Sequence, residues 1–252
     1  MPWISAFLAL FGAGTLLAAA AMPPARVGAG FHRVCANSAM FLAVLAALTS
    51  GVLSADAARF QARWYVVGYA AALLAYSIYL RIPSRRPLRT ANVLLAAAGV
   101  AIVYLGIAKG RSWGLMASLP TSASVIGGAL AAMLLGHSYL SGGAQSFEPL
   151  IDACRLLIGA IVVRGIVSAA FFAPEHETLS IWASRDMVLA LLVGVRYVVG
   201  IGAALALAWM SLACARIHSN QSATGILYVV LGFAIMGELV AAYVMGEKGL
   251  AI

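Results

Sequence analysis

An all-α, polytopic integral membrane bundle is the fold class this sequence predicts, and three observations predict it. The 252 residues are 63% hydrophobic and 10% charged, with a mean hydropathy of +0.99, whereas soluble globular domains carry about 25% charged residues. The apolar residues gather into eight long runs separated by short connections holding most of the Arg and Pro. Three charged side chains, Arg164, Arg196 and Glu238, then interrupt three consecutive runs. A charge at bilayer depth is costly unless paired or wetted, so such residues face a protein interior and mark candidate functional sites.

Spans of ~20 residues joined by short connections fill the chain as a single transmembrane domain, with no length left for a separate soluble one. The first run, about residues 3–22, is closed by Pro23-Pro24. No Lys or Arg precedes it, while Arg26 and Arg33 follow; this order reverses that of a cleavable signal and predicts a retained helix with its N-terminal end outside. The second run covers about 33–54. The third, about 63–81, carries Tyr65, Tyr69, Tyr76 and Tyr79 as a stripe suited to packing on a neighbour, and Pro83 and Pro87 divide it from the fourth, about 89–108. Pro120 and Pro149 open the fifth and sixth, about 120–140 and 149–173, and Pro174 is expected to end the sixth. The connection 174–186, with Trp182, is expected to lie as a short interfacial helix. The seventh and eighth runs are about 187–215 and 221–246, the last preceded by the capping stretch Ser219-Asn220.

An even number of spans puts both ends on one side. The connections assigned to the cytoplasm hold Arg26, Arg33, Arg81, Arg85, Arg86, Arg89 and Arg216. Those assigned outside hold Arg59, Arg63, Lys109, Arg111, Arg185 and Lys248, diluted by Asp56, Glu175, Glu177, Asp186 and Glu247. This bias predicts an N-out, C-out protein of a bacterial inner membrane. The net charge of +8 then belongs to short loops meeting anionic headgroups, not to nucleic acid binding.

Arg164 stands nine residues before the end of run six, Arg196 nine after the start of run seven, and Glu238 eight before the end of run eight. At about 1.5 Å per residue, all three fall roughly 12–14 Å below the same surface, so a mutual contact is geometrically open to them. Gly194, Gly200 and Gly202 thin the seventh helix around its charge. Thr224, Leu227, Leu231, Ala234, Ile235 and Glu238 share one face of the eighth. An inter-helix salt bridge accounts for the cluster as packing. Two arginines against one carboxylate nevertheless leave an excess positive charge that an anion, a quinone carbonyl, a lipid headgroup or water would relieve.

Toward the opposite surface lie His32 and Cys35, His137, Cys154, and Cys214 and His218. Histidines from different helices can ligate haem b, and His137, beside Gly136, is the leading candidate, with His218 and His32 as partners. Cysteine and histidine together would also suit zinc or copper, although neither the His32/Cys35 nor the Cys214/His218 spacing is a metal signature. Cysteine in an apolar helix is otherwise a small hydrophobe. Near His137, Glu148 and Asp152 head run six, where negative charge suits the helix dipole.

No Walker loop, GxSxG, HExxH or paired CxxC occurs, which leaves no sequence basis for an ATPase, serine hydrolase, zinc protease or iron–sulfur protein. Two polar centres at different depths make the leading expectation an integral membrane subunit of a respiratory or electron-transfer complex. Such a subunit would meet quinone, optionally haem b, and other membrane or peripheral subunits, with a proton-transfer role. The alternatives are a small proton-coupled or anion transporter or channel, and a structural or assembly subunit.

Overall fold

The computed structural model describes residues 3–52, 57–82, 85–107, 113–141, 146–185 and 187–248. They form eight helices and no strand: α1 Trp3–Ala21, α2 Pro24–Val52, α3 Ala57–Arg81, α4 Arg89–Ile107, α5 Trp113–Ser141, α6 Glu148–Arg185, α7 Met187–Arg216 and α8 Asn220–Lys248. Six of these, α1, α2, α4, α5, α7 and α8, are long and apolar enough to cross a membrane. Their length and apolar composition mark an integral membrane protein, and helices, whose backbone bonds are satisfied internally, are compatible with hydrocarbon.

The first helix is the hub. It packs against α2, α4, α5 and α8, and its walls are small: Ala6, Ala9, Ala13 and Ala19 are buried. A Cβ added to Gly14 would stand 1.7 Å from the Ala123 carbonyl oxygen, and one added to Gly127 would stand 1.9 Å from the Gly14 carbonyl carbon. Backbone touches backbone at this α1–α5 crossing, as small residues permit in membrane bundles. Helix α5 in turn packs on α6 and α8, and α7 packs on α8.

Three boundaries differ from the sequence expectation. The sixth helix does not stop at Pro174; its backbone stays helical to Arg185, so residues 174–185 of the expected interfacial connection are the continuation of α6. An interior proline removes one backbone hydrogen bond and crowds the carbonyl one turn back, but its fixed φ is helical and membrane helices tolerate it by local adjustment. The side chains of 172–185, Trp182 included, lie outside the described set, as do the expected connections around Asp56 and Lys109–Arg111. Likewise Pro120 lies inside α5, which begins at Trp113. Hydroxyls crowd that break: Thr121 Oγ1 donates to the Ala117 and Ser118 carbonyls, both at 3.0 Å, and Ser124 Oγ to the Pro120 carbonyl at 2.7 Å. Finally, α2 begins earlier than expected but breaks at Gly28, whose φ of 76° and ψ of 162° lie in a region open to glycine. Pro24–Val27 is thus a separate turn.

The tyrosine stripe of α3 divides along its length. Tyr69 and Tyr76 are buried, the Tyr69 hydroxyl lies where a Cβ on Gly99 of α4 would need to be, and Tyr76 stacks on Tyr79. Tyr65 is exposed. The stripe is mainly the packing face of α3.

Candidate functional site

Arg164 of α6, Arg196 of α7 and Glu238 of α8 meet in the core, with side chains 2%, 0% and 1% exposed. Glu238 Oε1 accepts from Arg196 Nη1 at 2.8 Å and from Arg164 Nε at 3.2 Å, while Oε2 lies 3.3 Å from the same Arg164 Nε. One carboxylate thus joins three helices, as the shared depth of the residues allowed. Ser122 of α5 also lies within hydrogen-bonding reach of the Glu238 carboxylate.

Two local features bring Arg196 to this point. Residues Val195–Ala203 of α7 are wound as a π-helix, a rare geometry associated with functional positions. The wider turn sits at the position where the charge must face inward. On the other side, a Cβ on Gly200 would lie 2.5 Å from the Gly237 Cα, and the reverse distance is also 2.5 Å. The two backbones therefore touch, and Arg196 Nη1 passes 3.6 and 3.4 Å from those same positions. Of the three glycines marked beside Arg196 in the sequence, Gly200 makes this contact. Gly194 opens onto space and Gly202 faces its own helix at the Tyr197 carbonyl.

Net charge decides what the cluster can do. Among the described residues two guanidiniums face one carboxylate in a low-dielectric core, where removal from water is expensive. Arg196 Nε and Nη2 make no hydrogen bond among the described residues. A cavity of about 10 Å³ reaches Arg164 between Ser118, Ser122, Phe7 and Met245, close to the smallest volume that holds one water. The neighbouring Ser168 hydroxyl donates to the Tyr197 hydroxyl at 3.1 Å, which extends the polar layer between α6 and α7.

Along the face of α8 marked in the sequence, Thr224, Leu227, Ala234 and Glu238 are buried, while Leu231 and Ile235 are half-buried. The sequence alone did not single out Ser122, Ser168, Tyr197 or Gly237. Signals for three of them were present, since Ser168 follows Arg164 by one turn and Tyr197 and Gly237 adjoin Arg196 and Glu238. Ser122 carried none, because the pairing of α5 with α8 is a tertiary fact.

The histidines occupy three unlike settings. His137 is exposed on α5, its Nδ1 3.1 Å from the Tyr228 hydroxyl of α8. The space expected beside it for a porphyrin edge holds Thr224, whose Oγ1 would lie 2.7 Å from a Cβ on Gly136. His218 is exposed in the turn between α7 and α8 with φ 61°, and its ring meets Phe147 edge-on at 4.6 Å. His32 is 1% exposed; the Met22 backbone lies beside it, yet neither ring nitrogen reaches hydrogen-bond geometry among the described residues.

All three cysteines are free thiols, with Cys35 and Cys154 buried and the Cys154 sulfur 3.6 Å from the Ser211 hydroxyl. Among the described residues, no three His, Cys, Asp or Glu side chains come together as metal ligands. Zinc or copper held by a Cys and His cluster therefore finds no ligand set there.

Fold and site together define a class: a polytopic helical membrane protein with a net-positive ion cluster sealed between three of its helices. No known protein family, curated protein or solved structure matches this chain.

Proposed function

We propose that this chain is the integral membrane subunit of an electron-transfer complex, and that the Arg164–Glu238–Arg196 cluster handles a proton or a water-borne charge coupled to quinone chemistry. On this reading α3 and α6 also cross the bilayer, giving eight spans in a bacterial inner membrane with both ends outside. The supporting observation is the buried three-helix ion cluster, two arginines to one carboxylate among the described residues, next to a cavity of about 10 Å³. That space suits water or a proton carrier and is too small for a bulky solute. A purely structural pair would need only one arginine, and the second adds a desolvation cost that function repays.

The test is quinol turnover by the protein purified with its native partners. Glu238→Gln should abolish it while assembly, read by size-exclusion chromatography, persists; unchanged turnover would sink the proposal. A reduced-minus-oxidised haem b band lost in His137→Ala would add haem to the reading. A second reading, a small proton-coupled or anion transporter, draws on the π-helix at Arg196, since irregular helices mark substrate sites in transporters. Flux in vesicles reconstituted with this chain alone would favour it.

A further inference from the structure

An apolar fissure of about 510 Å³ opens on the flank of the bundle between α1, α5 and α6, with Phe31 of α2 at one edge. Its walls are low because its lining is small, with Ala18, Gly128, Ala132, Gly159 and Ala160 all facing it. Along α6 it runs from Ala153 to Val163, about 15 Å at the helical rise. That length matches half of a hydrocarbon core about 30 Å thick. The fissure is therefore one leaflet deep.

Its upper end passes into a second, polar hollow of about 400 Å³ through Ala21, Met22, Arg155 and Leu156, which line both. There Arg26 Nη1 lies 3.2 Å from Asp152 Oδ2 and Arg155 Nη1 lies 3.1 Å from Asp152 Oδ1. The two arginines are 60% and 54% exposed, so most of their donors remain open to an incoming group. Within this trio the balance is one net positive charge, with Glu148 exposed one turn before Asp152 on α6. Arg26 is held over α6 because Gly28 breaks α2 behind it and leaves Pro24–Val27 as a separate turn.

Two more arginines lie at this end of the bundle. Arg33 donates to the Leu80 carbonyl and Arg89 to that of Ala20, both at 2.8 Å, which places those two arginines at the same end of the bundle as Arg26.

We propose that this fissure is a binding site for an anionic phospholipid. One acyl chain lies along the small-residue trough, and the phosphodiester is held by the guanidinium forks of Arg26 and Arg155. A guanidinium pairs with phosphate oxygens through two parallel hydrogen bonds, and Asp152 keeps both forks aligned while leaving the excess charge for the lipid. The acyl trough accounts for the depth, and the arginine pair for the headgroup sign. The inference rests only on the membrane residence of the fold and is independent of the role assigned to the ion cluster.

Native mass spectrometry of the full chain in detergent, titrated with phosphatidylglycerol or phosphatidylcholine of identical chains, tests this. The expected result is a retained phosphatidylglycerol adduct with about a five-fold preference over phosphatidylcholine, as one net charge at a membrane surface provides. The double variant Arg26→Gln/Arg155→Gln should lose that preference and still bind either lipid weakly. Gly159→Leu should weaken both lipids, and it should fold, because a Cβ there meets nothing within 4 Å. Equal binding of the two lipids to the unaltered protein would overturn the proposal. So would adducts that survive Gly159→Leu, or displacement of phosphatidylglycerol by an equimolar isoprenoid quinone.

Discussion

Arg196 reaches Glu238 at 2.8 Å across the point where Gly200 and Gly237 bring two helix backbones into contact. The ion pair and the glycine crossing are one device. The arginine emerges from a π-wound turn, passes over both glycines and ends on a carboxylate that a second arginine already holds. Both the energetics and the chemistry of the cluster depend on that approach.

Removing the carboxylate should be the most damaging change in the cluster. Glu238→Ala removes the carboxylate that both buried guanidiniums share, and breaking such a pair costs about 3–5 kcal/mol. Thermal unfolding in detergent should show a fall in Tm large enough to reduce the folded yield. A loss below about 1 kcal/mol would mean that water or a bound anion already compensates the arginines.

Replacing all three charges with apolar residues separates stability from function. Buried ion pairs exchanged for well-packed hydrophobes are often neutral or more stable by about 1–4 kcal/mol. The triple variant Arg164→Met/Arg196→Met/Glu238→Leu is therefore expected to fold with an equal or higher Tm and to be inactive in quinol turnover. Retained activity in the folded triple variant would assign the cluster to packing alone.

At the helix crossing, Gly237→Ala should push α7 and α8 apart and lengthen the Arg196–Glu238 contact, because the new Cβ would stand 2.5 Å from Gly200 Cα. Overpacking of this kind costs about 1–3 kcal/mol. Gly194→Ala, on the same helix as Arg196 but with nothing within 4 Å of its added Cβ, should be neutral or slightly stabilising, by about 0.4–1 kcal/mol. Paired Tm measurements check the contrast, and equal effects at the two positions would count against backbone contact at the crossing.

His32 offers a different kind of test. Its ring is buried and neither nitrogen is hydrogen-bonded among the described residues, and an unsatisfied buried polar group costs about 1–3 kcal/mol. His32→Leu should leave Tm unchanged or raise it. A marked drop, together with loss of any visible absorbance, would identify a ligand on His32.

The exposed partner of His137 can be probed by Tyr228→Phe, which deletes the 3.1 Å hydrogen bond while keeping the ring. The expected loss is about 0.5–1.5 kcal/mol, read as a small fall in Tm. If a haem is bound through His137, the same substitution should also shift its reduction potential, since the outer hydrogen bond tunes ligand basicity.

Much of the site was legible in the residues. Arg164, Arg196 and Glu238 stand nine, nine and eight residues from the facing ends of their apolar runs, and at a fixed helical rise that opened a common layer to them, although α6 itself runs on to Arg185. The buried face of α8 followed from its 3.6-residue period for the same reason. The continuation of α6 past Pro174 was not legible, since proline punctuates many helices and is tolerated in others according to what surrounds the freed carbonyl. Gly200 could not be distinguished from Gly194 and Gly202, because their difference is which one faces Gly237. The fissure and its Arg26–Asp152–Arg155 mouth were equally hidden: Arg26 and Asp152 are 126 positions apart.

By itself the sequence determined the membrane-bundle class and the approximate positions of the apolar helices, and it marked Arg164, Arg196 and Glu238 as charges within apolar runs. These follow from composition and from a helical rise that is the same for every residue. Tertiary structure alone decided that the two arginines share one carboxylate, that α7 and α8 touch at two particular glycines, and that an apolar trough opens beneath a pair of arginines. The physical reason is that depth is fixed along each helix axis, whereas rotation and neighbour choice are fixed by which small surfaces allow backbones to approach.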